Sequence, residues 1–275
     1  MKKSLLFRLS FLVLLSIIGG HFSYAQSSWI WQNPLPQGNE LLSVSFTDAN
    51  TGTAVGDCGS IVRTTDGGAN WAIQTSGTAN NLQSVSFTDA NTGTAVGDSG
   101  TILRTTDGGA TWTSQSSGTT NSLLGVHFTD ANTGTAVGNN IILRTTNGGS
   151  NWTSQLNGSV LYLTSVYFTD ANKGCAGGSD GQGNGIILRT TDGGLNWTSW
   201  INQMPSGRPG YINIYSICLT DTNTGTAVGG TSDGSRYHGT IFRTTDGGIT
   251  WTSQTSGTGF YIYSVCFTDT NTGTM

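Results

Sequence analysis

The sequence predicts an all-β fold, a β-propeller built from four-stranded antiparallel blades. Three observations carry that prediction. One phrase recurs along the chain, best preserved from Leu82 to Ser122, and its apolar marker returns at Phe46, Phe87, Phe128, Phe168, Leu219 and Phe267, in steps of 41, 41, 40, 51 and 48 residues. Periods of about 40 to 45 residues mark arrays whose units cannot bury an apolar face alone. Within a unit, four short stretches of alternating polarity are separated by Gly, Asp and Asn, and no helical stretch interrupts them. A tryptophan-bearing turn also recurs in fixed phase. A β-solenoid is the alternative, although its rungs are usually shorter.

In chain order, the charged start Met1-Lys2-Lys3, the apolar stretch Leu5 to Ile18 and the small-x-small site Ser23-Tyr24-Ala25 read as a secretory signal peptide. Residues 1–25 are therefore set aside as leader and 26–275 as the repeat domain, with no membrane span once the leader is removed. Trp29-Ile30-Trp31-Gln32 matches the end of a unit, as in Trp71-Ala72-Ile73-Gln74. The order is thus an orphan fourth strand, five complete units and the opening of a sixth, which breaks off at Thr272-Gly273-Thr274-Met275. In a closed ring an N-terminal fourth strand would complete the last blade. The expectation is a chain truncated at its C-terminus, with six or seven blades in the full protein.

In the unit at Leu82, Ser84 to Phe87 alternates as a strand, and Thr88 to Gly93 is turn chemistry, since Asp and Asn side chains bond nearby backbone. Thr94 to Gly97 is the second strand, Asp98-Ser99-Gly100 a tight turn, Thr101 to Arg104 the third strand, and Trp112 to Gln115 the fourth. Between strands three and four, Thr64-Thr65-Asp66-Gly67-Gly68-Ala69-Asn70-Trp71 fits the Asp-box pattern, Ser/Thr-x-Asp-x-Gly-x-x-Trp. Its acid and tryptophan are Asp66 and Trp71, then Asp107 and Trp112, Asn147 and Trp152, Asp192 and Trp197, and Asp246 and Trp251. The carboxylate accepts turn amides and the indole is driven between sheets by its apolar area. Asn147 keeps only part of that acceptor capacity. These residues are read as structural.

Taken whole, F-T-D-x-N-x-G-x-A-V-G followed by G-x-I-x-R-T-T-D-G-G-x-x-W resembles the photosystem II stability/assembly-factor-like repeat family, from about Trp29 onward. The resemblance implies a secreted or lumenal propeller, typically seven-bladed, whose named members assist photosystem assembly. One departure is systematic: the family often has an aromatic before Ala-Val-Gly, where this chain has Thr53, Thr94, Thr135, Cys175 and Thr226.

Composition narrows the function. The formal charge of −4 becomes −7 without Lys2, Lys3 and Arg8, and one lysine remains. Such a chain lacks the electrostatic footprint of a nucleic-acid or anionic-lipid binder. Cys58, Cys175, Cys218 and Cys266 show no CxxC or Cys/His grouping, so no zinc or other metal site is read. Cys218 and Cys266 occupy one slot in successive units and point in the same rotational sense, which argues against a disulfide. The repeated arginines Arg63, Arg104, Arg144, Arg189 and Arg243 read as braces between turns or blades, a ring of cations being the alternative. His127 reads as a packed residue.

Departures from the repeat are where binding is expected. Gly178 to Asn184 and Gly230 to His238 lengthen the two-to-three turns of units four and five, and Asn202 to Asn213 lengthens the connection between them. An up-and-down blade puts these on one face and the Asp boxes on the other. Arg208, Tyr211, Arg236, Tyr237 and His238 are therefore the candidate site for a partner protein or glycan, tolerated loop drift being the bland alternative. Asp180-x-Gln182-x-Asn184-Gly185 faintly echoes a calcium loop, but Thr191 stands where a bidentate Glu is needed.

The rival class is a sialidase-like or other glycoside hydrolase or glycan-binding Asp-box propeller. Such sites need singular acids. Here Glu40 is the sole glutamate, and only Asp180 and Asp233 are singled out among the aspartates as lying outside the repeated turns. The expectation is a monomeric, exported, non-catalytic interaction and assembly scaffold without cofactor.

Overall fold

Alternating stretches at fixed spacing become a series of small antiparallel sheets. The computed structural model describes residues 38–155, 161–202, 211–232, 236–269 and 271–275, all within the second of two compact units, Asn33–Met275. The leader and the Trp29 to Gln32 strand lie outside the described residues, as do Arg208 and Asp233. Five four-stranded sheets follow in sequence order, each a meander with neighbours in the order one, two, three, four. They are blades of a β-propeller. Their first strands are Leu41–Phe46, Leu82–Phe87, Leu123–Phe128, Tyr162–Phe168 and Tyr211–Leu219. A sixth sheet pairs Cys266–Phe267 with Gly273–Thr274.

First strands start earlier than alternation alone predicts, because Leu82 and its counterparts Leu123, Leu163 and Ile214 are fully buried and extend the pairing. Fourth strands are shorter than expected except in blade four, where Thr198–Asn202 has five residues. The one in blade two is only Thr113–Ser114, since it lies on the exposed rim and pairs on one side.

Two acid turns recur on one face. In the one-to-two turn, Asp48 Oδ1 accepts the amides of Asn50 at 2.7 Å and Thr51 at 3.0 Å, and Asp89, Asp130, Asp170, Asp221 and Asp269 repeat the arrangement. In the Asp box, Asp66 Oδ1 accepts from the Thr64 hydroxyl and the Asn70 amide, and Oδ2 from the Asn70 side chain, each at 2.8 Å. Asn147 keeps the Oδ1 contacts at 3.0 Å. The Asp-box tryptophan stands edge-on against the first-strand phenylalanine, as in Phe87–Trp112, with centroids 6.0 Å apart at 84°. It joins a core cluster drawn from two blades, Val55 and Ile61 from one and Leu82, Val85, Ala95 and Leu103 from the next.

Blades are joined by three side-chain devices. First strands of successive blades lie side by side, and the serines of one cap amides of the next: Ser43 accepts from Val85 N–H at 3.3 Å and Ser45 from Phe87 N–H at 3.1 Å. Ser84 and Ser86 do the same for Val126 and Phe128. The repeated arginines reach across the seam. Arg104 donates to its cross-strand partner Thr94 at 2.8 Å and to Ala131 C=O of the next blade at 2.5 Å, with its guanidinium 4.9 Å from the Phe128 ring. Arg63 and Arg144 repeat this pattern, so the arginines brace neighbouring blades. The threonine that stands where the resembled family has an aromatic is the acceptor this brace uses. Where it is Cys175, Arg189 instead donates through Nε to Gly247 C=O at 2.6 Å.

The third device is a glutamine latch. Gln74 donates to Gly108 C=O at 2.9 Å and accepts from the Trp112 indole at 3.2 Å. Gly109, at φ 83°, makes room for it, because a Cβ there would sit 2.1 Å from the Gln74 amide oxygen. Gln115 latches Gly148 and Trp152 in the same way. All four cysteines are free thiols.

His127 is more than packed. It takes the capping slot of Ser86: its Nδ1 accepts from Phe168 N–H at 3.4 Å, and its ring lies 4.4 Å from that of Tyr167. Burial, aided by the charge of Arg144, pushes its pKa down to about 4.

Two predictions follow from these seams. Gln74→Ala orphans the Trp112 indole and the Gly108 carbonyl and should cost about 1–2 kcal/mol. Gln254→Ala, whose amide only reaches Thr252 at 3.5 Å, should change stability by less than about 0.5 kcal/mol. Urea denaturation midpoints of the two variants make the comparison. The second concerns acid. The folded His127 pKa lies below its ordinary 6.5, so the unfolded chain takes up the proton first, and stability is lost as pH falls from 6.5 towards 4. His127→Ser should flatten that part of the thermal-melting profile; an unchanged slope would remove His127 as its source.

Candidate binding face

The lengthened turns emerge together. The two-to-three hairpin of blade four runs on to Ser179 and Gly185, and that of blade five to Ser232 and Tyr237. The blade-four hairpin touches the first strand of blade five, where Ile212 N–H donates to Gly183 C=O at 2.8 Å. The Asp180 loop closes on itself. Oδ1 accepts from the amides of Gln182 at 2.8 Å and Asn184 at 3.0 Å, and Oδ2 from the Asn184 side chain at 2.7 Å.

Above these hairpins the structure assembles a tyrosine cluster. Tyr211 and Tyr261 share a hydroxyl–hydroxyl hydrogen bond of 2.6 Å. Tyr261 is the hub: its ring lies 5.1 Å from Tyr237, 5.8 Å from Tyr215, 6.2 Å from Tyr263 and 6.5 Å from Tyr211. Tyr215 and Tyr263 stack at 5.1 Å and 29°. Tyr237, in the blade-five hairpin, is 59% exposed. The hub is seated by a glycine, since a Cβ on Gly230 would meet the Tyr261 ring at 2.0 Å.

Of the sequence-expected site, Tyr211 and Tyr237 belong to this cluster. Arg236 and His238 flank Tyr237 at the start of the same strand, His238 being exposed. Arg208 lies outside the described residues. Sequence reasoning missed Tyr215, Tyr261 and Tyr263. The signal was present: Phe260, Tyr261 and Tyr263 occupy the slots filled by Asn80, Asn81 and Gln83 in unit two, and Tyr215 also takes the Gln83 slot.

Three of the aspartates are held below the ordinary carboxylate range. Hydrogen bonds from Thr111 and Thr105 hold Asp107 down at about 2, and Thr250 and Thr244 do the same for Asp246. Burial pushes Asp180 upward, but the hydrogen bonds from Asn184 and Gln182 outweigh it and leave its pKa below the ordinary value. A general acid needs the opposite shift.

The family described as photosynthesis system II assembly factor YCF48 matches three overlapping stretches, residues 23–116, 72–154 and 116–270. Among solved structures, YCF48 bound to D1 peptide is 19% identical, with a TM-score of 0.57 over 87% of this chain and 89% of that one. YCF48 from Cyanidioschyzon merolae is 20% identical, with a TM-score of 0.56 over 87% and 93%. The Niastella koreensis GH74 enzyme is 18% identical, with a TM-score of 0.63 over 82% of this chain but only 42% of the enzyme. At such identities the likeness is one of fold. No curated protein matches the chain. Among the described residues, no helix is long and apolar enough to cross a membrane.

The seating of Tyr261 generates a prediction. Gly230→Ala should displace the ring while leaving the blade paired, so tyrosine fluorescence quenching by acrylamide rises at an unchanged β-sheet circular dichroism signal. Equal quenching in both proteins would mean that the ring is not seated on Gly230.

Proposed function

The chain belongs to the family described as photosynthesis system II assembly factor YCF48, and we propose that it is an exported, non-catalytic interaction propeller that holds a polypeptide partner on the face of the lengthened turns. One observation carries the reading: departures from the repeat in blade five and at the opening of unit six gather tyrosines into one surface, with Tyr237 exposed. Exposed aromatic clusters seated on a rigid frame are the anchors of protein interfaces. A relative solved bound to D1 peptide supports a polypeptide as the class of partner. Export is supported by the charged start, apolar stretch and small-x-small site of residues 1–25.

The non-catalytic part of the proposal is supported by where the carboxylates are spent. The aspartates of both repeated turns accept turn amides, and Asp180 accepts three hydrogen bonds from its own loop. At 18% identity the likeness to a GH74 enzyme is one of fold, and the chain spans less than half of that enzyme.

A photo-crosslinking phenylalanine placed at Tyr237, and as a control at the exposed Ile249 of an Asp-box turn, tests the face. A discrete polypeptide adduct from the secreted fraction is expected at position 237 only. Equal adducts at both positions would overturn the assignment of this face. Release of reducing sugar from a polysaccharide panel, abolished by Asp180→Asn, would overturn the non-catalytic reading.

A further inference from the structure

Three departures from the repeat converge on one small cavity between blades four and five. Lys173 stands where the other complete units have Thr51, Thr92, Thr133 and Thr224, and it is the one lysine beyond residue 25. Cys175 stands where those units have Thr53, Thr94, Thr135 and Thr226, and Thr222 where units one to four have alanine. All three line an enclosed cavity of about 10 Å3, together with Arg189, Thr169 and Thr190.

The cavity lies where a regular arginine brace would end. Between blades two and three, Arg104 places one η nitrogen on Thr94 Oγ1 at 2.8 Å and the other on Ala131 C=O at 2.5 Å. Arg189 makes neither contact. It donates through Nε to Gly247 C=O at 2.6 Å, and its η nitrogens have no hydrogen-bond acceptor among the described residues. Cys175 does not balance its charge, because burial pushes the thiol up to about 12 and keeps it neutral at ordinary pH.

Charge decides what the cavity suits. Lys173 and Arg189 both line it, and among the described residues no acidic side chain does. The neighbouring carboxylates are engaged elsewhere. Asp170 accepts the amides of Asn172 and Lys173, Asp221 those of Asn223 and Thr224, and Asp192 the Thr190 hydroxyl and the Asn196 amide. Guanidinium and ammonium groups can only donate, and two like charges at one partly buried void repel unless an anion offsets them. A water would supply an acceptor but no charge. Size narrows the choice further, since about 10 Å3 takes a single particle near the size of a water, which suits a monatomic anion and not phosphate or sulfate.

We infer that this cavity is a chloride site, in which the ion replaces the threonine hydroxyl and backbone carbonyl that hold the arginine in the regular seams. The site is independent of what binds the tyrosine face.

Chloride-35 NMR on the full chain tests it, with the double variant Lys173→Thr, Cys175→Thr as the reference. Both substitutions restore residues of the regular blades, so the reference should fold. The unaltered chain should broaden the chloride line, bromide should compete the broadening away, and the reference should lose it. At equal ionic strength, chloride should also raise the melting temperature of the chain over gluconate by about 2–4 °C, with no such difference in the reference. Equal line widths for the two proteins would overturn the inference and leave the cavity to water. A chloride-dependent melting temperature that persists in the reference would place the ion elsewhere and overturn it as well. Should the reference melt below the unaltered chain in gluconate, crystals of the unaltered chain grown in bromide decide the matter. An anomalous peak in contact with the Arg189 η nitrogens would uphold the site, and a cavity without that peak would remove it.

Discussion

Everything in this array depends on capping the inner edge of each blade. The first strands of successive blades lie side by side without forming a ladder, so each would present a row of unpaired amides, the standing liability of an edge strand. The serines of the preceding blade supply the missing acceptors, 42 residues away in the regular part of the chain. That requirement fixes the phase of the repeat. A unit can gain residues only where the gain leaves first strands in register, and the steps of 51 and 48 residues meet this condition by lengthening turns and connections on one face. Ser165 still caps Ile217 and Ser216 still caps Val265 across those longer units.

The same logic explains which face is free to vary. The arginine brace ends on the one-to-two turn of the next blade and the glutamine latch on its Asp box, and both turns lie on one face. Lengthening either turn would remove an acceptor from its partner. The opposite face carries the two-to-three hairpins, which can extend outward strand by strand at the cost only of exposed turn residues. Lengthening of the units is therefore concentrated on the face where these two latches do not end.

The architecture was legible in the sequence because it is written within each unit. Alternation, acid turns and a phased tryptophan specify four strands and their order, and the arginines could be read as braces because they recur with the turns. The links between blades were less legible, since each joins residues far apart in sequence that are ordinary in isolation. Ser45 and Phe87 are one case, Gln74 and Gly108 another. His127 illustrates the limit: as a substitution it looked inert, and only the neighbouring strand reveals that it accepts an amide in place of a serine. The tyrosine cluster was half legible. Tyr211 and Tyr237 sit in conspicuous insertions, whereas Tyr261 and Tyr263 replace Asn81 and Gln83 without changing the length of a unit, and their meeting depends on the absent side chain of Gly230.

Between blades four and five, which carry the lengthened hairpins, both opposite-face latches are replaced. Trp200 takes the glutamine slot of blade four and packs on Phe242, with centroids 5.3 Å apart, while Gln155 folds back on Thr153. Among the described residues, the indole nitrogens of Trp197 and Trp251 are buried without a hydrogen-bond partner, unlike those of Trp112 and Trp152. Cys175 removes the threonine that the arginine brace uses, and Arg189 is redirected to Gly247. An unpaired buried donor is costly, so these seams are held more by apolar packing around Ile187, Ile214, Ile217 and Phe242 than by polar latches. Apolar contacts are indifferent to small shifts in angle, whereas a glutamine bridging two fixed groups is not. A seam of the first kind can accommodate longer hairpins without breaking a directional bond, and the two blades with the longest hairpins meet at such a seam.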